Sequence, residues 1–273
     1  METGAIEAFL TLGRDVGIEA VKRYHRLSIT IDEELPYEPT MIVGNHGFGG
    51  IFDLNVWAML AALDELAPGR PITFLTHQLA WTLQVGSLIE RLGARPASEQ
   101  TALDAFDDGH HVVVFPGGDF EAAKPFGDRN TVMFGGRHGF ARVAIAAGVP
   151  VVPVVTAGAG ESALVLGQGK RLAKLLRADK LLRVSALPVS VSIPWGLNVG
   201  AVGVIPYLPL PTKLDTHVLS PMRPEVARAG AGPAGSTATP GAAETSADFA
   251  TRVEQTMQSV MDDLTRNRRL LLG

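Results

Sequence analysis

The sequence has no cysteine, no strong excess of one charge and no long unbroken apolar run. Without cysteine there can be no disulfide, no thiolate nucleophile and no cysteine-ligated zinc. The formal net charge of −4 over 273 residues provides no basic field of the kind that binds nucleic acid non-specifically, so no nucleic-acid partner is expected. Residues 1–17 lack the charged start and apolar stretch of a secretory signal, which predicts a cytoplasmic protein.

A membrane-spanning helix needs roughly 18 consecutive apolar residues, and no segment supplies them. The nearest candidate, residues 184–212, carries no charged side chain but is interrupted by prolines and glycines. This pattern predicts strands and loops on or beneath an apolar surface. Residues 5–24 place apolar side chains at helical spacing among basic ones, which predicts an amphipathic helix. That helix either packs on its own domain or lies on a membrane surface.

Apolar strands and amphipathic helices alternate over residues 1–225, which predicts one α/β domain. Its central sheet should be mainly parallel, partly mixed, and flanked by helices. Residues 226–247 are almost entirely small or polar and predict a disordered linker. Residues 248–273 repeat apolar side chains on one helical face and predict a closing amphipathic helix, which folds back on the domain or meets a partner or bilayer.

His46 and Asp53 are the first candidates for chemistry. An apolar strand, residues 41–44, ends just before His46, and a glycine-rich bend leads to Asp53 at the head of a helical segment. A carboxylate that accepts from one ring nitrogen leaves the other nitrogen basic and able to take a proton from a hydroxyl. In the alternative interpretation, His46 only closes a turn and Asp53 only caps the helix.

Gly117 and Gly118 follow a second buried strand, residues 111–115. Their backbone N–H groups could stabilise an anion or a developing oxyanion. A tight turn that requires positive φ would use the same residues. The remaining histidines show no spacing typical of metal ligands, so no metal site is expected.

These blocks resemble the glycerolipid acyltransferase family (PlsC-like). Asn45-His46 with Asp53, then Phe115-Pro116-Gly117-Gly118, then the apolar run of residues 149–154, stand in the order and approximate spacing of that family's motifs. The resemblance covers roughly residues 40–220. Residues 115–158 look throughout like the branch that forms diacylglycerol and phytyl esters.

Two departures from the family pattern have consequences. Six residues separate His46 from Asp53, where the family usually has four, so a wider bend must return Asp53 to hydrogen-bonding range. In the third block, Gly117 replaces the acid of the phospholipid-making relatives and no arginine follows directly. This favours a neutral acceptor over a phosphorylated one. Glu121 and Arg137 stand where the neutral-lipid branch also carries an acid and a base, either beside the acceptor or as an internal ion pair.

The resemblance implies a glycerol-phosphate acyltransferase-like fold and a peripheral membrane O-acyltransferase at the inner face of the membrane. In this hypothesis His46 is the general base, Asp53 orients it, and acyl-CoA or acyl carrier protein is the co-substrate; no other cofactor is expected. The membrane contacts would be residues 184–212 and the first helix. The implied substrate-binding residues are Asn45, Arg95, Phe115, Pro116, Gly117, Gly118, Glu121 and Arg137.

Three other functions stay open on the sequence. The nearest is a lysophospholipid or glycerol-3-phosphate acyltransferase. Residues 158–163 fit G-x-G-x-x-A after a strand, with Asp179 about 20 residues on, as in a nicotinamide dinucleotide-binding oxidoreductase. A third possibility is a lipid-binding module without catalysis. No nucleoside-triphosphate loop and no G-x-S-x-G serine motif is present.

Overall fold

The fold is known from a computed structural model, which describes residues 2–48, 53–77, 81, 86–167, 169, 189–199, 207–225 and 243–273. The strands of this part of the chain are β1 Ser28–Ile31, β2 Met41–Gly44, β3 Ile72–Thr76, β4 Ala94–Pro96, β5 His111–Val114, β6 Val151–Ala157, β7 Leu164–Gly167, β8 Val189–Ser192, β9 Gly196–Val199 and β10 Asp215–Val218. The α-helices are α1 Glu2–Tyr24, α2 Leu54–Leu66, α3 Gly86–Glu90, α4 Glu99–Asp107, α5 Gly118–Ala122, α6 Gly139–Ala147 and α7 Ser246–Thr265.

The central sheet has seven strands in the spatial order β1-β10-β6-β2-β5-β3-β4. The five strands from β6 to β4 are parallel to one another. β10 runs antiparallel to β6 and parallel to β1, so these two strands reverse the direction at one end. The predicted fold class, a mainly parallel and partly mixed sheet within an α/β protein, is therefore confirmed.

Helices cover both faces of this sheet because its central strands are apolar on both sides. In β2, Met41 and Val43 point to the core shared with α4, α6 and α7, whereas Ile42 points to the core shared with α2. The sequence predicts a helix over residues 139–147 that Gly148 closes; α6 has these bounds, and Gly148 ends it in the left-handed conformation (φ 68°). Helix α1 packs against α2. None of the described helices is both long and apolar enough to cross a bilayer.

Helix α1 also presents an apolar line to solvent, formed by Phe9, Leu12 and Val16. These residues share one helical face, because side chains three or four positions apart are neighbours on a helix. Ile18 and Val21 on the other side pack into the domain. Helix α1 thus has apolar side chains on two sides. One side packs on the domain, and the other remains exposed.

β7, β8 and β9 form a separate three-stranded antiparallel sheet. The prediction of strands and loops for residues 184–212 holds in the described part of this stretch: residues 189–199 contain β8 and β9, and residues 207–212 are loop apart from one bridge at Leu208. The rest of the stretch lies outside the described residues. The sequence also predicts a basic helix over residues 169–180, which, apart from Gly169, lies outside the described residues.

The closing helix starts earlier and ends earlier than predicted. α7 covers Ser246–Thr265, capped by the Thr245 hydroxyl, and not residues 248–273. Beyond Thr265 the chain continues in turns, and Leu271, which has positive φ, donates its N–H to Glu161. α7 packs Phe249, Val253, Met257 and Met261 into the sheet core. Most of the predicted linker, residues 226–242, lies outside the described residues.

Candidate active site

Three parallel strands end at one edge of the sheet and bring together residues far apart in sequence. His46 follows β2, Phe115 follows β5 and Gly158 follows β6, and these strands are neighbours. In open α/β sheets, ligands bind beyond the carboxyl ends of the strands. A Cβ on Gly44 would lie 2.5 Å from the Phe115 ring, so the glycine at the end of β2 makes room for that ring. Phe115 stacks on His46 with the ring centroids 4.8 Å apart.

The six-residue bend returns Asp53 to His46. His46 Nδ1 and Asp53 Oδ2 lie 2.6 Å apart. The second carboxylate oxygen accepts from the Asn55 N–H at 2.9 Å, which caps α2. Asn55 Oδ1 in turn accepts from the Gly47 N–H at 2.7 Å and fixes the start of the bend. Asp53 therefore does what both interpretations required, since it orients the imidazole and caps the helix.

The other ring nitrogen of His46 has no hydrogen-bond partner in the ranges that the structure describes. The His46 side chain is 15% exposed. Burial alone would lower the pKa of His46, but the adjacent Asp53 carboxylate outweighs it and the pKa lies above the ordinary value of 6.5. With Nδ1 held by Asp53, Nε2 is the position that can accept a proton from a substrate.

Glu121 lies beneath His46, and not beside an acceptor as predicted. Its side chain is fully buried: Oε2 accepts from the His46 N–H and Oε1 from the Met133 N–H, both at 3.0 Å. A Cβ on Gly117 would lie 2.3 Å from Oε2, so this glycine lets the carboxylate approach the turn. Glu121 does form an internal ion pair, as the alternative interpretation predicted, but its partner is Lys124 at 3.6 Å. Arg137 instead bonds the backbone at Gly117.

Lys124 is a site residue that the sequence reasoning missed. Its ammonium donates to His46 O and Thr131 O, both at 2.7 Å. Burial raises the pKa of Glu121 and lowers that of Lys124, while each charge opposes the shift of the other. A Glu and a Lys three residues apart after a Gly-Gly turn was the available signal, since such side chains meet on a helix.

Asn45 is also a structural residue, which corrects the prediction that it binds substrate. Its amide donates to Thr156 O at 3.2 Å and accepts from Thr156 N at 2.8 Å, and the side chain is buried. Asn45 thus extends the pairing of β2 with β6 by one residue. This bond holds the strand end from which His46 projects.

Gly118 forms a turn and not an oxyanion site. Its N–H donates to Phe115 O at 3.1 Å, and its φ is 50°, as the alternative interpretation required. Arg137 bonds this turn as well: its guanidinium donates to Gly117 O at 2.7 Å, to Pro116 O at 3.3 Å and to Asp119 at 2.9 Å. Gly117 N–H has no acceptor among the described groups and is the donor left for an oxyanion.

Arg95 is not brought to the dyad. It lies on β4, the last strand of the sheet and three strands from β2. At ~4.8 Å per strand, this places its backbone about 14 Å from His46. The exposed side chain donates to Glu90 O and Ala94 O. The structure gives it no contact with the other candidate residues.

Phe48 and Tyr207 connect the dyad to the small sheet. Their rings meet edge to face with centroids 5.7 Å apart, and both rings cluster with Ala163, just before β7, and Val165, on β7. Burial, followed by the negative charge of Asp53, raises the pKa of Tyr207, which places this phenol within the field of the dyad. The sequence signal was a single tyrosine in the uncharged stretch of residues 184–212.

The dinucleotide motif at residues 158–163 has a structural role instead. A dinucleotide site requires a helix after the glycines, but β6 is followed by a 3-10 turn, Ala159–Glu161, and then by β7. Gly158 has φ 94°, and a Cβ there would lie 2.1 Å from Lys213 O. Asp179 lies outside the described residues. The oxidoreductase interpretation therefore loses its structural basis.

Comparison with known proteins gives a consistent family. A family model described as diacylglycerol acyltransferase matches residues 14–229. A Gallus gallus protein described as "DGAT1/2-independent enzyme synthesizing storage lipids" is 30% identical over 160 residues, 58% of this chain and 46% of that protein. An uncharacterized protein of Mycobacterium tuberculosis is 28% identical over 194 residues, 70% of this chain and 51% of that protein. The chain thus spans about half the length of these relatives.

The fold also has a counterpart of known structure. The crystal structure of the 1-acyl-sn-glycerophosphate (LPA) acyltransferase PlsC from Thermotoga maritima superposes with a TM-score of 0.52. It covers 98% of this chain and 84% of that chain at 14% sequence identity. At this identity the match concerns the fold alone.

Proposed function

The chain belongs to the diacylglycerol acyltransferase family, as the motif resemblance predicted, and from that premise we propose that it is a peripheral membrane O-acyltransferase. It would move a fatty acyl group from a thioester to the hydroxyl of a lipid or other neutral acceptor. The observation that carries this proposal is the 2.6 Å contact between His46 Nδ1 and Asp53, with Nε2 left to accept a proton.

The proposed reaction uses the chain's own groups for proton transfer. His46 Nε2 takes the proton of the acceptor hydroxyl while the hydroxyl oxygen forms a bond to the thioester carbonyl carbon. The C–S bond then breaks, and the thiolate leaves with the proton that His46 carried. The products are an ester and a free thiol. Asp53 keeps the imidazole in the tautomer with Nδ1–H and stabilises the imidazolium that forms. Gly117 N–H is the candidate donor to the oxyanion.

The turn after β5 supports a neutral acceptor. Position 117 is glycine, and the nearby Arg137 is bonded to backbone carbonyls and to Asp119. A phosphate would have to compete with these contacts for the guanidinium, whereas a neutral hydroxyl needs no cation. A lysophospholipid or glycerol-3-phosphate acyltransferase is the second candidate, because the fold is shared with such an enzyme.

Thiol release from the purified protein would measure its preference for one class of acceptor. Palmitoyl-CoA or palmitoyl carrier protein is the donor, and diacylglycerol, a long-chain alcohol, glycerol 3-phosphate and lysophosphatidate are the acceptors. The expected kcat/KM is at least about tenfold higher for the neutral acceptors, or ~1.4 kcal/mol in transition-state binding. Preference for the phosphorylated acceptors would select the second candidate. Binding of acyl chains without thiol release from any pair would leave only a non-catalytic lipid-binding module.

The small sheet supports contact with a membrane, because its apolar side faces outward. Val191, Leu197 and Val199 are exposed, whereas Ser190 and Ser192 on the opposite side are buried. Asn198 bonds both serines and satisfies them. Alternation along a strand normally buries the apolar side. A reversed arrangement, in a stretch without charge, suits a surface that meets acyl chains.

The β8–β9 hairpin should therefore determine binding to vesicles. Trp195 and Leu197 are 52% and 68% exposed. A Trp195→Glu/Leu197→Glu variant is expected to bind neutral phosphatidylcholine vesicles at least about 100-fold more weakly, because each apolar side chain contributes ~1.5–3 kcal/mol on burial. Flotation at low and high salt measures this, and wild-type binding should change little with salt.

The matched control changes two exposed apolar residues elsewhere. Tyr37→Glu/Leu270→Glu adds the same charge at two exposed residues outside the strands of the small sheet and should float like wild type. Equal loss in both variants would assign the effect to net charge. Wild-type protein that stays in the soluble fraction would contradict membrane association as a whole.

A further inference from the structure

Side chains from two neighbouring parts of the protein bond the backbone of residues 130–134. On one side, Thr131 O and Met133 N bond Lys124 and Glu121. On the other, the alternate residues Asn130, Val132 and Phe134 bond side chains of helix α7. The segment thus joins the two groups of side chains.

The first side leads directly to His46. Glu121 accepts from Met133 N and His46 N, and Lys124 donates to Thr131 O and His46 O. The two buried side chains thus hold both backbone polar groups of His46 and repeat the same pattern on residues 131 and 133. Glu121 and Lys124 therefore link the His46 backbone to residues 131 and 133 through side-chain hydrogen bonds.

The second side belongs to helix α7. Glu254 Oε1 accepts from Phe134 N at 2.6 Å. Gln258 Oε1 accepts from Val132 N at 2.7 Å, and its Nε2 donates to Asn130 O at 3.1 Å. Glu254 and Gln258 are one helical turn apart and share a face. Both residues lie beyond the part of the chain that matches the family model, residues 14–229.

We propose that Glu254 and Gln258 are positioning residues for His46. Glu254 and Gln258 hold residues 130–134 in place. Glu121 and Lys124 bond both that segment and the His46 backbone, so the fixed segment keeps the His46 ring in contact with Asp53. The inference rests on the proposed function, in which His46 is the base. We call the chain of contacts from Glu254 and Gln258 through residues 130–134, Glu121 and Lys124 to His46 the relay. A displacement of about 1 Å at a catalytic group can cost roughly 100-fold in rate, so loss of the relay should lower turnover.

Substitutions in α7 provide the test. Glu254→Leu and Gln258→Leu each remove a contact with residues 130–134, whereas Glu254→Gln keeps an acceptor oxygen for Phe134 N. Gln255→Leu is the control, because Gln255 is exposed on the same helix. For each leucine variant in the relay, kcat should fall between about tenfold and about 100-fold with KM little changed. Glu254→Gln and Gln255→Leu should stay near wild type.

The second readout is the pKa of His46, measured by NMR titration and assigned with His46→Gln. The charged groups that face His46 are Asp53 at the start of α2, Glu121 on α5 and Lys124 just after α5. A ring that moves away from Asp53 loses the interaction that raises its pKa, so the pKa should decrease in the leucine variants. A purely structural role lowers the folded fraction, seen by circular dichroism, without moving this pKa.

The outcomes separate this inference from the proposed function. Unchanged kcat and unchanged His46 pKa in the leucine variants would overturn the inference, as would a rate loss that only follows the folded fraction. A shifted His46 pKa in a background where His46→Gln is fully active would support positioning and contradict the role of His46 as base. If a leucine variant does not fold, Gln258→Glu, which keeps the bond to Val132 but not that to Asn130, must show the same decrease in pKa.

Discussion

His46→Ala is expected to transfer acyl groups about 10²–10⁴-fold more slowly than wild type, the range that general-base catalysis contributes. The ring is held at Nδ1 by Asp53 and stacks on Phe115, so Nε2 is the group that the geometry offers for the acceptor proton. Thiol release at saturating donor measures the effect. His46→Ala that folds and keeps most of the rate would contradict the proposed base.

Asp53→Asn is expected to cost a similar factor with the helix preserved. Asparagine caps helices about as well as aspartate, so α2 should keep its start. Its side chain has an amide donor in place of a second acceptor, so it favours the opposite tautomer of His46, in which Nε2 carries the proton. Retained activity in this variant would show that the tautomer is not set by Asp53.

The pH profile provides an independent check of the same pair. The pKa of His46 is raised, so the acid limb of kcat/KM should lie above pH 6.5, and the rate should fall as pH decreases through it. In Asp53→Asn the limb should move to lower pH. The effect of pH on stability has the opposite sign. The stabilisation that comes from the raised pKa of His46 is complete at pH values below its pKa in the unfolded chain, and it is lost as pH rises through its pKa in the folded protein.

Local patterns in the sequence predicted much of the fold and the position of the dyad. Apolar runs gave the strands before His46 and Phe115, and helical spacing with a following glycine gave α6. These features depend on neighbours in sequence, and they required no knowledge of strand order. The closure of the six-residue bend depends on Asp53 and on the Asn55–Gly47 bond.

The partners of several predicted site residues depend on strand order, which sequence spacing does not provide. Asn45 was predicted to bind substrate, but β6 lies beside β2 and presents Thr156 to it. Glu121 was given Arg137 as a partner, whereas the turn at Gly117 directs it under His46 beside Lys124. In both cases a buried polar side chain satisfies nearby backbone groups, as burial requires.

Arg268→Met is expected to lower the free energy of unfolding by about 3–5 kcal/mol, the cost of leaving a buried charge without its partner. Arg268 donates to Glu161 at 2.7 Å and to Asp215 at 2.8 Å, and the Arg268 and Glu161 side chains are 3% and 2% exposed. The free energy of unfolding of a typical domain is about 5–15 kcal/mol, so this loss would be a large fraction of it. Urea unfolding with an unchanged m-value measures it.

Two further variants show whether the effect comes from the unpaired Glu161. Arg266→Met removes an arginine of the same tail that is 70% exposed and paired with exposed Asp263, so it should change stability by no more than about 0.5 kcal/mol. Glu161→Gln/Arg268→Met removes both charges and keeps an acceptor for Thr212 and the Leu271 N–H, so it should recover most of the loss. If the double variant is as unstable as Arg268→Met, packing of the arginine stem stabilises the tail, and the ion pair contributes little.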